Sequence, residues 1–215
     1  MPPSEPRRAP FGVIVPAKPP AFAKSRLGRL GEQVRRDLAA AFAADTVESA
    51  LAADLVALVL AVTDDHLLAA GLRELGARVI PDGTVDNLNA TLVQAAAELA
   101  RHDPELRPVA LCADLPALRP AELDSALRAA LPHQLAFVAD ADERGTTLLA
   151  ADGLASFRPA FGQGSRAEHL ADGAKEIDLA GIDSVRRDVD TPDDLAAALR
   201  LGIGPRTSRL TADLL

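Results

Sequence analysis

Residues 55–63 read Leu-Val-Ala-Leu-Val-Leu-Ala-Val-Thr and contain no charged side chain. A continuous apolar run of this length is typical of a strand that is covered on both faces, as the strands of parallel sheets are. Helical periodicity over residues 32–53 precedes this run, and a second predicted helix over residues 64–75 follows it. The order of helix, strand and helix predicts an α/β fold with right-handed crossovers.

The same alternation continues over the first 130 residues. We predict strands at residues 11–15, 55–63, 78–81, 108–113, 135–139, 146–151 and 184–189. We predict helices at residues 32–53, 64–75, 88–101, 120–131 and 191–201, with a short one after residue 165. The closer spacing of the later strands predicts a mainly parallel sheet with a mixed edge. Residues 1–10 are polar and Pro-rich, so we expect a disordered arm before a single domain over residues 11–215.

The composition narrows the classes of function. The formal net charge of −8 argues against a nucleic-acid or membrane surface, because both need basic patches. No apolar run approaches membrane-spanning length and no signal peptide is recognisable, which predicts a cytoplasmic protein. The single cysteine, Cys112, excludes an intramolecular disulfide, and the four histidines lack the spacing of zinc ligands. A homo-oligomer is compatible with the sequence.

Basic residues follow the first predicted strand. Lys18, Lys24 and Arg26 lie in one loop, and three cations there can hold a triphosphate. The loop lacks the Gly-rich pattern of a Walker A motif. An ordinary solvated basic loop explains these residues equally well.

Acidic residues follow two later strands. Asp114 comes after the apolar run 109–113, where it suits either a magnesium ligand or a turn ahead of the next helix. Asp188 and Asp190 alternate along a predicted strand end and therefore share one face. Helix capping explains residues 191–194 completely, but it does not explain the acidity of positions 188 and 190. We predict Asp190 as a metal ligand and Asp188 as a second one.

Three further loops have anion-binding or sugar-binding chemistry. Residues 144–147 (Arg-Gly-Thr-Thr) offer backbone amides and hydroxyls, and residues 161–166 (Phe-Gly-Gln-Gly-Ser-Arg) form a Gly-rich turn that opens a helix. Most such loops are simply turns. Residues 86–89 (Asp-Asn-Leu-Asn) suit a ribose or base contact, and they suit a helix cap equally well.

Taken together, these motifs resemble a known family. They are, in chain order, Val-Pro-Ala-Lys18, Ala-Lys24-Ser-Arg-Leu, Asp45-Thr46, Leu88-Asn89, Asp114-Leu-Pro, Phe-Gly162-Gln-Gly-Ser165 and Asp188-Val-Asp190-Thr-Pro. The same motifs in the same order are found in the 2-phospho-L-lactate guanylyltransferase family. The chain is most similar to its actinobacterial branch, the phosphoenolpyruvate guanylyltransferases of coenzyme F(420) biosynthesis. The resemblance covers residues 11–205.

The resemblance implies a nucleotide-diphospho-sugar transferase fold, which is a Rossmann-like, mixed and mainly parallel sheet flanked by helices. It implies GTP and phosphoenolpyruvate as substrates and Mg²⁺ as the cofactor. The implied metal ligands are Asp114, Asp188 and Asp190, and the implied contacts to the phosphorylated acid are Thr146, Gly162 and Ser165. The implied nucleotide contacts are Lys18, Lys24, Ser25, Arg26 and Asn89, with Lys24 and Arg26 also acting in catalysis.

Three alternatives stay open at this point. The acceptor can be 2-phospho-L-lactate, which differs from phosphoenolpyruvate by a methyl in place of a methylene group. A non-catalytic nucleotide-binding module would lack the metal ligands, whereas Asp114 and Asp190 are present. A nucleotidyltransferase for a molybdopterin or a sugar phosphate shares the acidic motifs, but it should not share Phe-Gly-Gln-Gly-Ser.

Overall fold

The computed structural model describes residues 10–17, 31–84 and 87–212. The arm that we predicted over residues 1–10 lies outside this range except for Pro10, and so do Lys18, Lys24, Ser25 and Arg26. Seven strands in the described ranges form one sheet, in the order β3-β2-β1-β4-β6-β5-β7. Their bounds are β1 Phe11–Pro16, β2 Val56–Val62, β3 Arg78–Ile80, β4 Arg107–Leu111, β5 Leu135–Ala139, β6 Thr146–Ala151 and β7 Lys175–Glu176.

The sheet is mixed and mainly parallel, as predicted, but its antiparallel strand does not lie at an edge. Strand β6 runs between β4 and β5 and is antiparallel to both. Strands β1 to β4 pair in parallel, and β7 is parallel to β5. The turn from β5 back to β6 therefore inserts a reversed strand between two parallel ones.

Helices cover both faces of the sheet. Their bounds are α1 Glu32–Leu51, α2 His66–Glu74, α3 Leu88–His102, α4 Pro120–Ala130, α5 Ser165–Ala171, α6 Asp183–Arg186, α7 Pro192–Leu201 and α8 Pro205–Ala212. Val47 of α1 and Leu123 of α4 share one buried cluster with Val13 and Val59 of the sheet. Helix α3 packs on the opposite face through a second cluster. The approach of α3 is close, because a Cβ at Gly12 would lie 2.5 Å from a methyl of Leu99.

The predicted strand at residues 184–189 is wrong. Residues 183–186 form the short helix α6, and residues 187–189 have no regular secondary structure. Ser184 explains the difference, because its amide donates to Glu122 Oε2 at 2.9 Å and its hydroxyl accepts from Arg119 N at 3.0 Å. Contacts with helix α4, rather than a strand ladder, therefore hold this segment.

The part of the chain that the structure describes contains no helix that is both long enough and apolar enough to cross a membrane.

Candidate active site

Two groups of predicted site residues lie at the end of the sheet where β4 and β5 finish, which is where open α/β sheets bind ligands. The first group surrounds Asp114, just beyond β4. The amide of Val189 donates to the backbone carbonyl of Asp114 at 3.1 Å. Asp188 and Asp190 flank Val189, so the fold brings the three predicted metal ligands into one region.

The acidic segment alternates as the sequence suggested, although it is not a strand. Val189 is fully buried, Asp188 is half-buried and Asp190 is exposed. Asp194 fixes the end of this segment, because its carboxylate accepts from the Thr191 amide at 2.8 Å while the Thr191 hydroxyl accepts from the Asp194 amide at 3.2 Å. This capping box confirms the N-cap, N1 and N3 positions that we predicted for helix α7.

These three carboxylates, of Asp114, Asp188 and Asp190, suit a Mg²⁺ ion whose remaining coordination positions are filled by substrate. Within residues 10–17, 31–84 and 87–212, no three His, Cys, Asp or Glu side chains form a ready-made metal cluster. Mg²⁺ commonly takes one or two carboxylates and fills its remaining positions with water and substrate phosphates. Asp114, Asp188 and Asp190 carry carboxylate oxygens of the preferred kind, and their role as metal ligands stays a prediction.

Thr46 of helix α1 braces the turn that carries Asp114. Its hydroxyl donates to the carbonyl of Ala113 at 3.3 Å and accepts from the amide of Leu115 at 3.1 Å. Thr46 is fully buried. A single side chain thus holds the residues on both sides of Asp114, which limits the conformations that the carboxylate-bearing turn can adopt.

The second group surrounds Thr146 at the start of β6, where a β-bulge sets the direction of its side chain. Val138 pairs with Leu148, but the next residue, Ala139, pairs with Thr146, so Thr147 is the extra residue of the bulge. Bulges of this kind re-aim a side chain next to a site. The Thr146 hydroxyl lies 2.9 Å from Nδ1 of His169.

Thr147 has a buried hydroxyl that none of the described contacts satisfies. Its side chain is fully buried, and its Oγ1 has no hydrogen-bond partner. An unsatisfied buried hydroxyl costs about 1–3 kcal/mol, so this atom is a candidate to receive a ligand or a water. The resemblance implied Thr146 as the acceptor contact, and Thr147 belongs to the same candidate anion-binding loop.

Both polar atoms of the Asn89 side chain contact the backbone of Phe161. Its Oδ1 accepts from the amide of Phe161 at 2.8 Å, and its Nδ2 donates to the carbonyl of Phe161 at 3.0 Å. The side chain therefore clamps the loop that leads to Gly162 and Ser165. The cap of helix α3 is Asn87, which accepts from the amide of Ala90 at 3.0 Å. A nucleotide contact of Asn89 stays a prediction.

The Gly-rich turn has the backbone conformation that its glycines permit. Gly162 has φ of +143° and Gly164 has φ of +78°, which side-chain-bearing residues rarely adopt. Gly162 is exposed, whereas Ser165, the first residue of helix α5, is buried. The turn is therefore open to solvent at Gly162, while the helix that follows it begins at a buried residue.

The acidic turn between β5 and β6 joins the two groups. For the loop 144–147 we left open an anion site and a simple turn, and the amides of Arg144 and Gly145 donate to the Asp140 carboxylate at 2.9 and 2.7 Å, as in a turn. The Ala141 amide donates to the carbonyl of Arg186 at 2.9 Å, just before the acidic segment 188–190. The Arg166 amide donates to the Arg144 carbonyl at 3.3 Å.

We assigned no role to His169 from the sequence. Among the histidines of the described residues, it is the one whose pKa is clearly shifted. Its Nε2 accepts from the amide of Ala160 at 3.0 Å, and its ring packs against Phe137 and Phe161 at centroid distances of 5.5 and 5.6 Å. Burial lowers the pKa of His169 from 6.5 to about 4, and the nearby Asp172 carboxylate offsets only part of this effect. The imidazole is therefore neutral at neutral pH.

Acid is expected to destabilise the protein through His169. Between pH 6.5 and about pH 4 the unfolded chain takes up a proton on this histidine that the folded protein does not. The free energy of unfolding must therefore fall as the pH falls through this window, by about 3 kcal/mol at most. Urea unfolding of the wild type and of His169→Gln between about pH 7 and pH 4.5 measures this term, because glutamine does not titrate. Identical pH dependence of the two proteins would contradict the assignment.

Comparison with known proteins agrees with this geometry. A family model described as guanylyl transferase CofC like matches residues 11–210. A phosphoenolpyruvate guanylyltransferase of Thermomonospora curvata is 52% identical over 202 residues, which cover 94% of this chain and 89% of that protein. Another, of Streptomyces scabiei, is 53% identical over 208 residues, which cover 94% of this chain and 96% of that protein.

A solved structure supports the fold class. A Desulfovibrio desulfuricans protein assigned to the nucleotide-diphospho-sugar transferases superimposes with a TM-score of 0.69 over 94% of each chain, at 19% identity. At this identity the likeness shows the fold alone, and it confirms the predicted architecture. The match to the family model and the identity to the two relatives extend over nearly the whole chain, so the chain belongs to the guanylyl transferase CofC-like family.

Proposed function

We propose that the protein transfers GMP from GTP to phosphoenolpyruvate, giving enolpyruvyl-diphospho-guanosine and pyrophosphate, as a step of coenzyme F(420) biosynthesis. The observation that carries this proposal is the 52% identity with the Thermomonospora curvata phosphoenolpyruvate guanylyltransferase across 94% of the chain. The acidic group beyond β4 and the threonine hydroxyls at the start of β6 support it, since the reaction brings two anionic substrates together.

The metal in this proposal is Mg²⁺, with Asp114, Asp188 and Asp190 as its protein ligands. The hydrogen bond between Val189 and the Asp114 carbonyl supports this set, because it holds the two acidic segments side by side. When bound, Mg²⁺ would neutralise part of the charge of the triphosphate and of the acceptor. The protein supplies the carboxylates and the braced turn that orient them.

The acceptor would lie against Thr146, Gly162 and Ser165. The Thr146 hydroxyl lies beside His169 at the start of β6, and Gly162 in the turn before helix α5 is exposed. The unsatisfied hydroxyl of Thr147 is a further candidate contact. Hydroxyl and amide donors suit a substrate that carries both a carboxylate and a phosphate.

The nucleotide would contact Lys18, Lys24, Ser25 and Arg26, all outside the described residues, with Asn89 nearby. Lys24 and Arg26 would stabilise the pyrophosphate that leaves, because Lys supplies a point charge and Arg a bidentate fork. Their places in the sequence after β1 support this role, since β1 ends at the same edge of the sheet as β4, beyond which Asp114 lies.

The chemical step needs no protein nucleophile. An oxygen of the acceptor phosphate forms a bond to the α-phosphorus of GTP, and the bond from that phosphorus to the bridging oxygen of the β-phosphate breaks. The acceptor phosphate is already anionic at neutral pH, so the protein contributes positioning and charge neutralisation rather than a strong base.

Pyrophosphate release from GTP tests the proposal. The purified protein is incubated with Mg²⁺ and GTP, together with phosphoenolpyruvate, with 2-phospho-L-lactate or without an acceptor. We expect release that depends on phosphoenolpyruvate and that is much weaker when ATP or CTP replaces GTP. Preference for 2-phospho-L-lactate would reassign the acceptor. No release with either acid and any of the three nucleotides would overturn the proposed function.

A further inference from the structure

His169 lies at a junction of three chain segments that carry or adjoin the residues proposed to contact the acceptor. It belongs to helix α5, it contacts the Thr146 hydroxyl at the start of β6, and it contacts the amide of Ala160 in the loop before the Gly-rich turn. Its side chain is fully buried. Each ring nitrogen therefore has a hydrogen-bond partner in one of these segments, Nδ1 with Thr146 and Nε2 with Ala160.

The hydrogen bond from Ala160 determines which ring nitrogen carries the proton. A backbone amide is only a donor, so Nε2 must offer its lone pair to it at 3.0 Å. The proton of the neutral ring then resides on Nδ1, and the lowered pKa of His169 agrees with a neutral ring. Nδ1–H donates to the Thr146 hydroxyl at 2.9 Å.

The direction of this bond has a consequence for Thr146. A hydroxyl that accepts a hydrogen bond from His169 keeps its own hydrogen to donate elsewhere. Carboxylate and phosphate oxygens only accept hydrogen bonds, so a hydroxyl fixed as a donor is suited to an anionic acceptor. The alternative tautomer would turn the Thr146 hydrogen toward the imidazole and present lone pairs to the substrate.

A second clamp acts on the same loop from the other side. Asn89 holds both backbone groups of Phe161, next to the Ala160 amide that His169 holds. The Phe161 ring meets the His169 ring edge-on, with an angle of 77° between the planes. The loop is thus held by Asn89 as well as by His169, and the bond to Thr146 is the contact through which His169 reaches β6.

We propose that His169 is a positioning residue of the proposed acceptor site, which fixes the Thr146 hydroxyl as a hydrogen-bond donor toward the anionic acceptor. This inference rests on the proposed function for the identity of the acceptor. The tautomer of His169 and its coupling to Thr146 follow from the contacts of the described residues alone.

Steady-state kinetics of two His169 variants separate positioning from a general structural role. The amide of His169→Asn reaches the region of Nδ1 and can still donate to Thr146, whereas that of His169→Gln reaches the region of Nε2 and cannot. We expect His169→Gln to raise the KM for phosphoenolpyruvate about tenfold, as the loss of one hydrogen bond to a charged group implies. The KM for GTP should change by less than about twofold in the same variant, and His169→Asn should restore most of the loss.

The coupling to Thr146 is measured in a double-mutant cycle. If His169 acts through Thr146, the His169→Gln substitution should add little in a Thr146→Val background. His102→Gln is the matched control, because His102 is exposed at the end of α3 that lies away from the site. Equal rises in the KM values for both substrates, or independent effects of the two substitutions, would overturn the assignment.

Nitrogen-15 NMR of the imidazole tests the tautomer without any substrate. We expect a protonated Nδ1 and an unprotonated Nε2 in the wild type at neutral pH, and an Nε2–H tautomer would overturn the inference. An inactive wild type would refute the proposed function, while this spectrum would still decide the state of His169. An active wild type with the wrong tautomer would refute only the inference about His169.

Discussion

Replacing Asp114 with asparagine is expected to lower kcat/KM by at least about a hundredfold, because the variant loses a carboxylate that the transferred phosphates need for charge neutralisation. Asparagine keeps the size of the side chain and the backbone bond from Val189 to the Asp114 carbonyl. Thr46 still braces the turn through backbone groups of Ala113 and Leu115. The fold should therefore survive, and the loss should reflect the missing charge.

The experiment measures turnover and metal affinity together. Binding of Mn²⁺ in place of Mg²⁺, followed by electron paramagnetic resonance, should weaken in Asp114→Asn and in Asp190→Asn, alongside the loss of pyrophosphate release. Asp54→Asn is the control, since Asp54 is exposed just before β2, at the opposite end of the sheet. Near-normal turnover in either site variant would remove that residue from the metal site.

Replacing Asp45 with asparagine is expected to lower the free energy of unfolding by about 3 kcal/mol. The Asp45 side chain is 1% exposed, and its carboxylate accepts from the amides of Arg206 and Thr207 at 3.1 and 2.8 Å. These amides belong to the first turn of helix α8, which needs an acceptor there. In asparagine an NH₂ group replaces one of the two carboxylate oxygens. That NH₂ group would face a backbone amide, which would lose its acceptor.

Glu48, the other carboxylate that pairs with Arg206, provides a matched control for the Asp45 substitution. Glu48 lies one turn further along α1 and contacts the Arg206 guanidinium at 2.7 Å, but its side chain is 47% exposed. Exposed ion pairs contribute little, so Glu48→Gln should lower the stability by less than about 1 kcal/mol. Urea unfolding compares the two variants. Equal losses would mean that Asp45 acts only through its charge and not as the acceptor that docks α8.

The regular elements were predictable where local physics determines them. The strands at residues 135–139 and 146–151 have the bounds that we predicted, because short apolar runs between turn residues leave few alternatives. Helix α7 was predictable from its capping residues, since Thr191 and Asp194 act within four residues of chain.

The missed elements depend on distant partners. Strand β7 is only Lys175–Glu176, and it is held by pairing with β5 and by the Arg166 guanidinium, whose Nε lies 2.9 Å from Glu176 Oε1. Helix α8 has a polar sequence without a clear apolar stripe. It is docked by Asp45, more than 150 residues earlier in the chain. No local pattern contains this information.

The same distinction separates the site residues that we found from those that we missed. Asp114 and Ser165 stand at the ends of predictable elements, so their placement follows from the order of strands and helices. His169 has no local signature, and Thr46 entered only as part of a motif of the resemblance, because a histidine or threonine inside a helix is by itself an ordinary residue. Their roles arise from contacts across the fold, 23 residues apart for His169 with Thr146 and 69 for Thr46 with Leu115.

Phosphorus-31 NMR of the reaction mixture tests the central claim most directly. With the protein, Mg²⁺, GTP and phosphoenolpyruvate, guanylyl transfer predicts a coupled pair of diphosphate-diester signals that grows in step with pyrophosphate. Both sets of signals should be absent when Asp114→Asn replaces the wild type. Formation of GDP and inorganic phosphate, or unchanged spectra of both substrates, would contradict guanylyl transfer to phosphoenolpyruvate.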